Sequence, residues 1–137
     1  MNEIADLARG WIGTPYRHRA ATRRAGCDCL GLLVGVWREA GGTVPDLPAY
    51  RADWRDMSHA EELQALAARW LVPAAEIAPG RILLFRIGMS PLPRHCGIAL
   101  GGGRFVHAQE RLGVVEGNLT LGWLRRVSGI FGFPAGD

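Results

Sequence analysis

Between Asp28 and Glu39 the sequence runs DCLGLLVGVWRE, apolar round most of a helical circumference. A helix apolar on nearly every side must be covered on nearly every side, so this segment predicts a central buried helix around which the chain is arranged. Asp28 sits where an N-cap belongs, since its side-chain oxygen can accept first-turn amides that have no partner within the helix. Gly41-Gly42 supplies a left-handed stop at the other end. Gly31 and Gly35 each cost about 1 kcal/mol of helix propensity relative to alanine. Their spacing therefore predicts that another element packs closely against that face of the helix.

The elements that could cover it change character along the chain. Asn2 can cap a short helix carrying Ile4, Leu7, Ala8 and Trp11, which ends at Gly13-Thr14-Pro15-Tyr16. From Thr43 to Arg55 the prolines, Tyr50 and Trp54 predict a surface excursion, and Ser58-His59-Ala60-Glu61 has the capping-box pattern of a third helix carrying Leu63, Leu66, Ala67 and Trp70. Beyond Pro79-Gly80 come β-type runs: Arg81 to Ile87, Cys96 to Leu100, Arg104 to Ala108, Val114 to Glu116 and Val127 to Phe133. Glycine and proline clusters separate them, as in an antiparallel meander. Helices first and strands second predict an α+β fold, with helices on one face of a C-terminal sheet of five or six strands. The 137 residues, 48% of them hydrophobic, suit one domain over 1–137 with one core.

Asp28 as the N-cap leaves Cys29 at the first helical position, where the positive end of the helix dipole favours thiolate. An inert buried cysteine is the ordinary alternative. The second half of the chain shifts the balance, because His95 and His107 flank a glycine turn, and a cysteine with distant histidines is the pattern of a thiol nucleophile with a base and an orienting group. His18 and His59 match no such pattern and read as ordinary polar residues. Cys96 follows His95, and the period-two rule of a strand turns it to the opposite face, so Cys27 and Cys96 are expected to be inert.

The three cysteines are too few and uneven for a disulfide framework. Cys27 and Cys29, one residue apart, diverge at a helix start, whereas structural zinc ligands are spaced by two to four residues, so no metal is expected. All sixteen basic residues are arginine, and the formal net charge is +3. Arg17, Arg19, Arg23 and Arg24 crowd the segment before Cys29 and read mainly as a solvated loop. No basic helix interleaved with aromatics points to nucleic acid. No apolar run is long enough to span a bilayer, and the first residues, MNEIAD, have no secretory character.

Taken together, Gly13-x-Pro15-Tyr16, Gly26-x-Asp28-Cys29-x-Gly31-Leu32, Pro79-Gly80 with Leu84-Phe85, His95-x-Gly97-Ile98 and Gly103-Arg104-Phe105-Val106-His107-Ala108 resemble the NlpC/P60 family of papain-like cysteine peptidases. The resemblance covers nearly the whole chain and implies the papain-like fold. It makes Cys29 the nucleophile, His95 the general base and His107 the residue that orients His95, with no cofactor. Tyr16 becomes a candidate second oxyanion group. Asp28, Arg17 and Arg24 complete the candidate oxyanion- and substrate-binding set, the arginines for a glutamyl carboxylate. The implied substrate is the peptidoglycan stem peptide, at the bond between D-γ-glutamate and diaminopimelate.

Leu30 stands where the family usually has serine, Cys27 where an aromatic or apolar residue is common, and Arg81 where an acidic residue often follows Pro-Gly. Asp28-Cys29-Leu30-Gly31-Leu32 followed by Val36-Trp37-Arg38-Glu39 resembles members encoded with the tails of phages and gene transfer agents. That implies an enzyme made in the cytoplasm without a signal peptide, carried in a virion or phage-like tail, and acting at the cell wall. Its partners would be tail or baseplate proteins, contacted through the aromatics around Tyr50 and Trp54 and the run from Trp123 to Phe133, of which Phe131 and Phe133 read rather as completing the core. The alternatives are a structural tail-tip protein with a vestigial peptidase fold, and an amidase or acyltransferase on the same scaffold.

Overall fold

The computed structural model describes residues 2–45 and 60–134. Helix α1, Glu3–Arg9, is capped by Asn2, whose side chain accepts from the Ala5 amide. It buries Ala5 and Ala8, and the turn that follows it buries Trp11. The expected central helix is α2, Cys29–Glu39, buried from Cys29 through Val36. At its end the Gly42 amide reaches back to the Trp37 carbonyl and the Gly41 amide to Arg38, with Gly41 at φ 92°. This is the paired return of hydrogen bonds for which a left-handed glycine is suited.

The two helical glycines answer to different neighbours. A Cβ on Gly35 would lie 2.1 Å from the Trp11 ring, and one on Gly31 would lie 1.8 Å from the Ala20 carbonyl oxygen. Trp11 thus drives α1 against α2 and donates its ring N–H to Glu39. The arginine-rich stretch is more ordered than a loop reading implies. It folds back as a two-stranded hairpin, β1 (Ala21–Thr22) with β2 (Gly26–Cys27), and presses on the start of α2. Arg19 and Arg24 pay for the tight path with positive φ, 62° and 71°.

Helix α3, Ala60–Trp70, buries Leu63, Ala67 and Trp70. Its predicted cap at Ser58 and His59, and the excursion with Tyr50 and Trp54, lie outside the described residues. Then follow β3 (Val72–Pro73), β4 (Ile82–Arg86), β5 (Pro93–Gly101), β6 (Arg104–Gln109), β7 (Gly113–Asn118) and β8 (Val127–Gly132). All neighbours in this six-stranded sheet are antiparallel, in the order β3-β8-β4-β5-β6-β7. The meander therefore holds for β4 to β7 and then breaks. Strand β8 crosses back to pair with β4, Ile82 opposite Phe131, because the free side of β4 still offers its backbone groups.

The sheet is covered on both faces, where sequence predicted helices on one. Helices α1, α2 and α3 lie over the face that carries Ile82, Leu84, Cys96, Ile98, Val106 and Ala108. The other face carries Leu83, Phe85, Ala99 and Phe105, and a short helix that sequence reading missed, α4 (Leu121–Arg126), closes it with Trp123. Phe133 stacks on Trp37 at 4.7 Å and leans on Trp70, so the C-terminal aromatics complete the helix-side core.

Candidate active site

Asp28 is completely buried, and both of its oxygens are taken up by the protein. Oδ1 accepts from the Gly31 amide at 2.8 Å, while Oδ2 accepts from the Arg19 amide at 2.9 Å, with His18 Nδ1 3.7 Å away. The carboxylate therefore ties the arginine-rich hairpin to the helix start, which leaves it no exposed edge for a substrate. The segment Pro15 to Arg17 runs beside Cys27 through Cys27 N–H to Pro15 O and Arg17 N–H to Cys27 O, and this sets Tyr16 beside Cys27, with its hydroxyl buried.

Cys29 opens α2 and is 1% exposed. Its thiol adjoins that of Cys96, the residue after His95 in β5. The period-two rule does send Cys96 away from the His95 ring, but the face it reaches is the one under α2, so Cys96 is a neighbour of Cys29 and not remote from it. Burial, with Cys29 beside it, pushes the Cys96 thiol well above its ordinary value. Burial likewise pushes Cys27 up to about 12, with Asp28 and Cys29 adding to the shift. Both groups are held as thiols, the form that is a poor nucleophile.

The two histidines come together across neighbouring strands. His95 Nε2 and His107 Nδ1 are 2.8 Å apart, and the rings meet edge to face at 76°. The pair lies against Phe85, Phe105 and Trp123, with Phe105 stacked on His107 at 4.3 Å. Burial lowers His107 to about 4, so its ring is neutral at neutral pH and can exchange one hydrogen bond with His95 without competing for its charge. Gln109 places its side-chain amide 3.3 Å from His107 Nε2, so donor and acceptor directions along Gln109, His107 and His95 are set together.

A cleft of about 530 Å³ opens over this pair, lined by Arg94, Arg111, Glu110, Gln109 and Trp123 as well as both histidines. The arginines on it are Arg94 and Arg111. Arg17 and Arg24 stand on the exposed hairpin, the Arg17 side chain lying along Gly26 and the Arg24 amide donating to Thr14 Oγ1. Sequence reading missed Trp123, Gln109, Arg94 and Arg111. Only Gln109 carried a signal, being two residues from His107 on the same strand face; the others depend on α4 and on how β5 is registered.

Comparison with known proteins agrees with this arrangement. The model of the NlpC/P60 family matches residues 13–129. Over 116 residues the chain is 30% identical to "Probable endopeptidase NlpC" of Escherichia coli K12, covering 85% of this chain and 66% of that protein. It is 30% identical over 119 residues to the murein DD-endopeptidase MepS/murein LD-carboxypeptidase of the same strain, covering 87% and 55%. The chain thus spans less than two thirds of the length of either relative. An NlpC/P60 family protein from Bacillus cereus superposes with a TM-score of 0.71 at 17% identity over 96% of this chain and 39% of that one, a likeness of fold. With a family match running from the Pro-Tyr turn into the last strand, and with the thiol-bearing helix start and the histidine strands inside it, this chain belongs to the NlpC/P60 family.

Proposed function

We propose that this chain is a cysteine peptidase that hydrolyses peptidoglycan stem peptides at the bond between D-γ-glutamate and diaminopimelate. The observation that carries the reading is the buried His95–His107 pair on an open cleft, with a thiol at a helix start meeting the same strand one residue further on. In this reading Cys29 passes its proton to His95 and the thiolate attacks the amide carbonyl. The Cys29 backbone amide, at the positive end of α2, and the Tyr16 hydroxyl hold the oxyanion. His95 then protonates the departing amine, and water, deprotonated by the same ring, releases the acyl group from sulfur. His107, neutral and hydrogen-bonded, keeps the His95 ring aimed. Asp28 acts through the backbone by fixing the helix start, and Arg17 and Arg24 reach toward the substrate from the hairpin rim.

The test is incubation of purified protein with diaminopimelate-type muropeptides and mass spectrometry of the products. New termini at the glutamyl–diaminopimelyl bond, absent with Cys29→Ala, are expected. Cleavage elsewhere, or unchanged turnover by Cys29→Ala, would refute the assignment. The run Asp28-Cys29-Leu30-Gly31-Leu32 supports placing the enzyme on a phage-like tail, where tail or baseplate proteins are its partners and the cell wall its place of action. Washed particles should then contain it at a low, fixed copy number. Its absence from them would instead indicate an enzyme released by other means.

A further inference from the structure

Strand β5 carries an irregularity at the cleft. Phe85 pairs with His95 and Arg86 with Pro93, so Arg94 is an extra residue with no partner across the strand pair. In a regular strand Arg94 and His95 would point to opposite faces. A bulge re-aims the extra side chain, and here both residues line one cleft. The Arg94 Nε–H is buried and has no acceptor among the described residues. A buried guanidinium donor without a partner is costly, and an incoming anion is the group that would satisfy it. Arg111 lines the same cleft, as does one carboxylate, Glu110, and His107 is neutral there, so two guanidinium groups face one acidic side chain.

We propose that Arg94, with Arg111 on the same cleft, is an anion subsite that takes a free carboxylate carried by the residue on the amine side of the scissile amide. The side follows from the chemistry and rests on the peptidase reading above. His95 gives its proton to the departing amine, so the departing half of the substrate lies toward His95, and Arg94 is the next residue on the strand. The planar fork of a guanidinium matches a carboxylate through two parallel hydrogen bonds, which a carboxamide cannot reproduce.

The test compares muropeptides whose diaminopimelyl carboxylate is free or converted to a carboxamide. Affinity is read by calorimetry on Cys29→Ala protein and kcat/KM on the active enzyme. The free acid is expected to bind roughly 10- to 100-fold better, the range of a charge-assisted hydrogen bond. Arg94→Gln should abolish that preference while leaving the amidated ligand unaffected, and Arg94→Lys should keep part of it. Amidating the glutamyl carboxylate, on the acyl side, should change wild type and Arg94→Gln equally. Equal binding of both diaminopimelyl forms by the otherwise unsubstituted cleft would overturn the subsite even if Arg94→Gln folded poorly, and so would an equal loss for both forms in Arg94→Gln. Absence of cleavage of every muropeptide would refute the peptidase reading instead, and the binding comparison would still be read separately.

Discussion

His107 shows how a buried side chain of the proposed site also bears on stability. It is 2% exposed, and burial lowers it to about 4, against about 6.5 for a free imidazole. Between those values the unfolded chain binds a proton that the native chain does not, so falling pH favours unfolding. The contribution is fully present above about pH 6.5 and is lost as the pH falls to about 4, a change of about 3 kcal/mol. Urea titrations at pH 7 and pH 4.5 should show this loss in the native protein and a clearly smaller one in His107→Asn. The same substitution should retain part of the turnover, because an amide can still orient His95, whereas His95→Ala should lose nearly all of it. Equal activity of the two variants would remove the distinction between base and orienting group.

At the scale of elements, the helix start is held by what presses on it. Replacing glycine by alanine in an unencumbered helix stabilises it by about 1 kcal/mol. At Gly31 the added methyl would sit 1.8 Å from the Ala20 carbonyl oxygen, a backbone atom of the hairpin that also supplies the Arg19 amide to Asp28. Gly31→Ala must therefore lift the hairpin away, and overpacking of this kind costs about 1–3 kcal/mol. Chemical denaturation should show destabilisation and not the gain that propensity alone forecasts, with faster proteolysis between residues 17 and 24. The spacing of Gly31 and Gly35 announced a close approach, but not which elements make it. The hairpin stayed hidden because two-residue strands are too short to show a period. Helix α4 was missed because Leu121-Gly122-Trp123 has glycine in its first turn, although Thr120 caps it through the Trp123 amide.

Across the whole molecule, one sheet serves two apolar layers. The histidine rings of the proposed site pack against the layer closed by α4, on Phe85, Phe105 and Trp123. Trp123 is therefore a positioning residue, in contact with His95, His107, Phe85 and Phe105 and half-buried. Trp123→Ala should lower stability by about 1–3 kcal/mol, less than the loss of a fully buried tryptophan. It should also depress kcat more than it raises KM, since the rings lose a wall while the cleft loses one of several lining side chains; a change in KM alone would make Trp123 a binding residue only. Within the run from Trp123 to Phe133, Trp123 packs on the imidazole pair in place of the contact surface expected of it, while Phe131 and Phe133 join the helix-side core as expected for those two.

Local chemistry alone determined the order of the three longer helices and the main strands, the capped thiol at the start of α2, and the two histidines on neighbouring strands. These follow from periodicity, capping and glycine punctuation, all of which act over a few residues. Tertiary structure decided which side of a strand a residue serves at an irregularity, and which distant segments share a surface. Arg94 joins His95 only because β5 carries a bulge against β4, and Cys96 meets Cys29 only because α2 lies on that face. Strand β8 returns to β4 through pairings between residues more than forty positions apart, and Trp123 reaches His95 across 28. The free energy of such contacts comes from burial and from hydrogen bonds completed across the fold, and no local run of residues encodes it.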